Sequence, residues 1–279
     1  MSATNFDLQR WAQLPELVTS LMFCKPDRRA HWQSSAVLMC ELFEAAFGLS
    51  EERIARIKLD WWLQEADRTL AGKPTHPLTV TLVELGQAGY TALPEVIAAL
   101  IDALDASTPV DSTEQLVQHQ KWSQPLAKWL LGPDADADSI ASNAAAIASW
   151  SRLWQLRYAL KPARYGPGAI PLMLSAKFQL QSRQLLAPAP ANVTSAVREL
   201  LSEQRRDARA PALGTAARLL PELAALQSTI SALKARAAVR WSDANHAALL
   251  GEHFSHEPIF WRLARVLAAW NAARKVRLV

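Results

Sequence analysis

The sequence predicts an all-α protein, folded as a single domain over residues 1–279. Two compositional facts point there: only nine glycines in 279 residues, and a chain dominated by Ala and Leu with few β-branched runs. The third is punctuation, because Asp, Ser and Pro recur where apolar helical periodicity restarts, with Gly where it stops. Half of the residues are apolar, which is ample for a sizeable core at this length.

Taken in order, Asp27 is the expected N-cap of a helix over roughly 28–48 that ends near Gly48. Ser50, Glu51 and Glu52 open a second helix to about Gly72, the acids suiting the positive end of its dipole. Pro77 starts a segment to about Gly86, and Pro94 one to about Leu104, each at a first helical position. Asp111 caps a helix through Leu131, and residues 133–138 form a short linker. An Ala-rich helix over 138–160 places Trp150 and Trp154 on one side, and the Pro/Gly-rich stretch 161–171 stops it. A short helix near 173–184, an APAPAN joint at 187–192, and helices near 193–208 and 212–237 follow. The last helix, about 258–277, puts Ile259, Phe260, Leu263, Val266, Leu267 and Trp270 on one stripe. No internal repeat of fixed period occurs.

Charge is uneven along the chain. Lys and Arg number 30 against 26 Asp and Glu, and the excess lies in 257–279, where Arg262, Arg265, Arg274, Lys275 and Arg277 face only Glu257. A nucleic-acid binder spreads a basic stripe over a whole domain, so no nucleic-acid partner is expected. The basic final helix is expected to cap the bundle by its apolar stripe, with an anionic membrane surface as the alternative contact. Cys24 and Cys40 have no CxxC spacing and too few companions for structural zinc, so buried thiols are expected. No secretory leader is expected, and no run of apolar residues is long enough to span a bilayer. The expected location is cytoplasmic, soluble or peripheral at the inner face of the membrane.

Motif chemistry is sparse. No GxSxG, Walker loop or nucleotide-binding glycine fingerprint appears, which removes support for hydrolase, kinase and dehydrogenase readings. His253 and His256 are the only close histidine pair. Asp134 and Asp138 form a DxxxD in a linker, where N-capping accounts for them, and Asp102 and Asp105 lie on an amphipathic helix. Eleven tryptophans are present; Trp61, Trp150 and Trp154 are read either as core packing or as walls of a ligand tunnel.

Three segments resemble one known family. Lys58, Trp61 and Trp62, followed by Gly72, Pro74 and His76-Pro77, resemble the central helix-loop of the squalene and phytoene synthase family. Residues 28–46 resemble its first aspartate-rich helix, with Glu41 and Glu44 one turn apart where aspartates are expected. Residues 151–172 resemble the second such helix and its loop through Gly166, Ile170 and Pro171, although Pro167 replaces an arginine. In the central helix Lys58 retains a charge where the pattern has arginine, while Leu63 replaces another arginine. The chain is most similar to a divergent branch that includes mitochondrial complex I assembly proteins and bacterial relatives lacking the aspartates.

The resemblance implies an isoprenoid-synthase-like bundle around a central cavity, and a reaction joining two prenyl diphosphates head to head with magnesium. Aspartates spaced DxxxD share one helical face and suit that metal. Here no acid stands between Asp138 and Glu199, and Arg157, Lys161 and Arg164 recur instead at i, i+4 and i+7. Such a face repels magnesium and is read either as an anion-binding surface or as a solvated edge near a helix C-terminus. Glu41 and Glu44 are read either as ligands of one metal or as a solvated acidic edge. The resulting expectation is a non-catalytic protein that binds a prenyl-type lipid or acts as an assembly or scaffold partner. Lys58, Trp61, Trp154, Arg157, Lys161 and Arg164 are its candidate ligand-binding residues, no residue is assigned a catalytic role, and no cofactor is expected. The alternative is an active magnesium-dependent prenyltransferase using Glu41, Glu44 and further acids such as Asp60.

Overall fold

A computed structural model describes residues 15–49, 51–86, 88–159, 169–180, 195–196, 199–200, 202–203, 220–226, 228 and 266–274. Among the described residues every regular element is helical. These are α1 (Pro15–Leu21), a 3-10 turn (Pro26–Arg28), α2 (Arg29–Phe47), α3 (Glu52–Leu70), α4 (Pro77–Glu84), a second 3-10 turn (Ala88–Ala92), α5 (Leu93–Leu104), α6 (Ser112–Leu131), α7 (Ala137–Ala159) and α8 (Leu172–Lys177). Residues 195–196, 199–200, 202–203, 221–226, 228 and 266–274 are also helical.

The middle of the bundle is α2. Every residue from Ser34 to Phe47 is buried, because neighbours surround the helix: α1, α3, α4, α5 and α7 all pack on it. A helix buried on all sides has no solvent face to show, which is why its sequence lacks a clear amphipathic period. Its start differs from the expected cap. Pro26 opens a 3-10 turn whose carbonyl takes the Arg29 N–H, so Asp27 falls inside that turn and Arg28 occupies the cap position without a side-chain bond.

The remaining boundaries follow local chemistry. α3 ends in a Schellman turn, with Gly72 at φ 70° and the N–H groups of Gly72 and Lys73 returning to the carbonyls of Thr69 and Arg68. Asp111 caps α6 by accepting the Glu114 N–H at 2.8 Å, and the Glu114 carboxylate reaches back to the Val110 N–H. α6 then runs through Pro125, which leaves the Lys121 carbonyl without its usual intrahelical donor. α6 and α7 form the most extensive helix pair, and the loop before α8 hangs on α6 through Gln115, whose amide donates to the Ala169 carbonyl.

Outlying segments are tied in by polar contacts. Arg28 donates to the Leu130 carbonyl at the end of α6 and pairs with buried Glu222 at 3.4 Å. The Asn143 side chain accepts the Leu220 N–H at 2.9 Å. Cys24 and Cys40 are both buried and in no disulfide. Burial, then the nearby Glu222 charge, pushes the Cys24 thiol up to about 11, so it is protonated at neutral pH.

The final helix departs from the expected stripe. Its described part buries Ala269 and Ala273 against Phe23 and Ala225, while Leu267 and Trp270 face outward. Small side chains let the helix approach closely, so the Ala face wins the contact. The expected positions Ile259, Phe260 and Leu263 lie outside the described residues.

Candidate functional site

The α3–α4 corner is organised by one carboxylate. Glu65 is fully buried, at 0% exposure, on the inner side of α3. Its Oε1 accepts the N–H groups of Thr75 and His76, both at 2.7 Å, and the Thr79 hydroxyl at 2.6 Å. Its Oε2 accepts the Thr75 hydroxyl at 2.6 Å and the Arg68 guanidinium at 2.9 Å. These donors belong to the loop entering α4 and to its first turn, so Glu65 supplies a negative charge at the positive end of that helix from a different helix. Burial alone would raise its pKa; the His76 N–H, the Thr75 and Thr79 hydroxyls and the Thr75 N–H outweigh that and hold it down at about 2.

His76 is the N-cap of α4, its Nδ1 accepting the Leu78 N–H at 3.2 Å. That bond assigns the neutral ring's proton to Nε2. The imidazole packs edge-on to Trp62 at 4.7 Å and Trp61 at 5.7 Å, and the two indoles meet at 5.0 Å. Trp62 is buried, whereas Trp61 is 40% exposed. The motif resembling the family's helix-loop thus builds an aromatic corner whose outer wall is Trp61.

Lys58 stands one turn before Trp61 on α3 and is half-buried, its ammonium 3.8 Å from a carboxylate oxygen of Glu41 on α2. Glu41 and Glu44 are each only 7% exposed, which overturns the reading of this pair as a solvated acidic edge. The physical reason is the position of α2 at the centre of the bundle. Asp60, by contrast, is exposed on α3.

Facing α2 across the core is α7, and the two helices meet through aromatic rings. Phe43 packs edge-on to Trp150 at 5.6 Å and lies 6.4 Å from Trp154, and the two tryptophans are themselves 6.0 Å apart at nearly a right angle. Trp154 is buried in this contact. A fully buried cation, Arg152, also lies on α7. Between α6 and α7, His119 is enclosed by Phe47 and Trp122, with its ring nitrogens 2.6 Å from the Ser151 hydroxyl and 3.1 Å from the Gln155 amide oxygen. A Ser–His pair so enclosed offers no approach to a substrate.

These residues do not fit a two-sided magnesium site. Such a site needs carboxylates from facing helices. Glu41 and Glu44 provide one side, whereas α7 has no acid after Asp138, which is exposed. Among the described residues no three His, Cys, Asp or Glu side chains gather into a metal-holding group. Lys161 and Arg164 lie outside the described residues, as do His253 and His256, and of Arg157 only the backbone, in the last turn of α7, is described.

The structure brings Lys58, Glu41 and Trp61 into one neighbourhood, with Trp154 across the core on α7. Sequence reasoning missed Glu65 altogether, assigning it no role. The available signal was downstream: the donor-rich Thr75-His76-Pro77 entry to a helix needs an anion, and Glu65 is the buried acid one turn before the end of α3. Arg152 gave no signal, because the Ala-rich face of α7 hides which positions are interior.

No protein-family model matches the chain, and no curated protein matches it significantly. Among solved structures it is similar to a dehydrosqualene synthase crystallised in complex with a ligand, with a TM-score of 0.68. The two are 9% identical, and the superposition covers 97% of this chain and 96% of that one. At that identity the likeness speaks to architecture alone: this chain has an all-α, isoprenoid-synthase-like fold.

Proposed function

We propose that this chain uses an isoprenoid-synthase-like fold for binding rather than for prenyl transfer, holding a prenyl-type lipid or serving as an assembly partner. The observation that supports this is the α2–α7 contact. The pair of helices that would present carboxylates to each other instead packs Phe43 against Trp150 and Trp154, and the acid on α2 nearest α3 has Lys58 as its cation. Lys58 beside the exposed Trp61 pairs a cation with an apolar wall, the chemistry that suits an anionic head and a hydrocarbon tail. The dehydrosqualene synthase likeness is consistent with a prenyl chain as that tail.

A second reading has its own observation. Glu41 and Glu44 are buried one turn apart on the central helix, where magnesium ligands of an active prenyltransferase would be wanted. Titration of farnesyl diphosphate with and without magnesium, followed by tryptophan fluorescence, separates the two. Under the binding proposal, saturable quenching occurs without the metal, and Trp61→Ala weakens it about tenfold with the helical fold retained by circular dichroism, roughly the effect of one lost aromatic contact. Quenching that requires magnesium would favour the enzyme, and no quenching under either condition would refute the lipid reading.

A further inference from the structure

We infer that the end of the bundle where the turn after α1 meets the helix at 266–274 is a docking surface for an anionic lipid bilayer. The helix is seated by its small side chains: Ala269 and Ala273 are buried against Phe23 and Ala225. Its large apolar side chains are left outside, Leu267 at 58% exposure and Trp270 at 48%. An amphipathic helix serving only the core would turn the other way, since burying Leu and Trp removes far more apolar surface from water than burying two alanines. The neighbouring element repeats the pattern. Phe23 is buried in the contact, and Met22 beside it is exposed.

Charge identifies the occupant. The Arg274 guanidinium lies over the Trp270 ring, 5.3 Å from its centroid, so an exposed indole and a cation share one spot. Lys25 and Arg29, flanking the 3-10 turn after α1, are exposed as well, with Asp27 the exposed acid between them. In the sequence on either side of the helix at 266–274 stand Arg262, Arg265, Lys275 and Arg277 against Glu257, all outside the described residues. Exposed Trp and Leu among cations suit the boundary between acyl chains and anionic headgroups. No helix among the described residues is long and apolar enough to cross a membrane, so the contact is lateral.

The test is co-sedimentation of the full chain with vesicles of phosphatidylcholine alone or mixed with phosphatidylglycerol. The expected result is sedimentation with the mixed vesicles only, reversed by salt. Arg274→Glu should weaken binding about thirtyfold, since it reverses one of several charges each worth a similar increment near the surface. Leu267→Ser with Trp270→Ser should abolish binding without lowering the melting temperature, because both side chains are exposed. Equal binding to both vesicle types, binding unaffected by these substitutions, or no binding at all would overturn the inference. So would concentration-dependent self-association of the lipid-free protein that the same double substitution removes, since the occupant would then be a second copy of this chain.

Discussion

Glu65→Gln is expected to lower the free energy of unfolding by about 3 kcal/mol or more, the penalty for breaking a buried, fully hydrogen-bonded ionic cluster from one side. The amide keeps the size of the carboxylate but not its chemistry. Five hydrogen bonds from Thr75, His76, Thr79 and Arg68 converge on two acceptor oxygens. Glutamine replaces one of those oxygens with a donor, setting NH₂ against N–H, O–H or guanidinium groups, and it leaves Arg68 without a counter-charge. The loss should centre on the α3–α4 corner, shifting the denaturant midpoint and exposing the Trp61–Trp62–His76 cluster first.

The acid stability profile provides an independent check. Glu65 is held at about 2 in the folded protein against an ordinary 4.5, so the unfolded state binds more protons between those values. Its contribution is fully present above about pH 4.5 and is lost as pH falls toward 2. His31 acts in a higher window. Burial, then the Arg28 charge, lowers its pKa from 6.5 to about 4, and its buried Nε2 has no hydrogen-bond partner among the described residues. Stability from keeping that ring neutral is present above pH 6.5 and is lost as pH falls toward 4. Each shift corresponds to about 3 kcal/mol over its window. Wild type should therefore weaken in two overlapping steps on acidification. Glu65→Gln should retain the step between pH 6.5 and 4 and lose the lower one; an unchanged profile would mean that Glu65 is not the group titrating there.

Phe43→Ala is expected to cost 3 to 5 kcal/mol, the range for truncating a fully buried aromatic side chain. Phe43 is completely enclosed, with Trp150, Trp154 and Phe47 rings at 5.6, 6.4 and 6.0 Å. Removing its ring deletes contacts to both tryptophans and leaves a cavity between α2 and α7 that those rigid rings cannot collapse to fill. The substitution bears on function as well as packing. If this interface were the open wall of a ligand chamber, the lost ring would have fewer partners, and the cost would drop below about 1 kcal/mol. Urea denaturation of the variant distinguishes the two, and in the packed case a small apolar solute should partly restore stability by occupying the void.

Much of the helical layout was legible because short-range chemistry sets it. Asp111 caps α6 as its side chain and position suggest, Pro77 opens α4, and Gly72 takes the positive φ that closes α3. Where the reading slipped, tertiary context decided. Asp27 lost the cap of α2 because Pro26 nucleates a 3-10 turn one step earlier. Glu41 and Glu44 could be read as metal ligands or as a solvated edge, because charge usually signals solvent, and only the placement of α2 at the centre of five neighbours buries them. Leu267 and Trp270 read as a core stripe because size normally wins burial; the Ala269–Ala273 contact with Phe23 is a matter of close approach, which periodicity does not encode. The Glu65 cluster links residues 10 to 14 apart across a helix end, beyond the reach of i, i+4 reasoning.

We propose that this fold serves binding rather than metal-dependent prenyl transfer. Incubating the purified protein with farnesyl or geranylgeranyl diphosphate, magnesium and NADPH, and measuring diphosphate release, tests it most directly. A Glu41→Gln, Glu44→Gln variant, checked for an intact fold by its circular dichroism and melting temperature, runs alongside. Under the binding proposal, release is no faster than in buffer for both proteins. Release by the wild type that the double substitution abolishes would contradict it, and would make those two buried glutamates metal ligands of a working prenyltransferase.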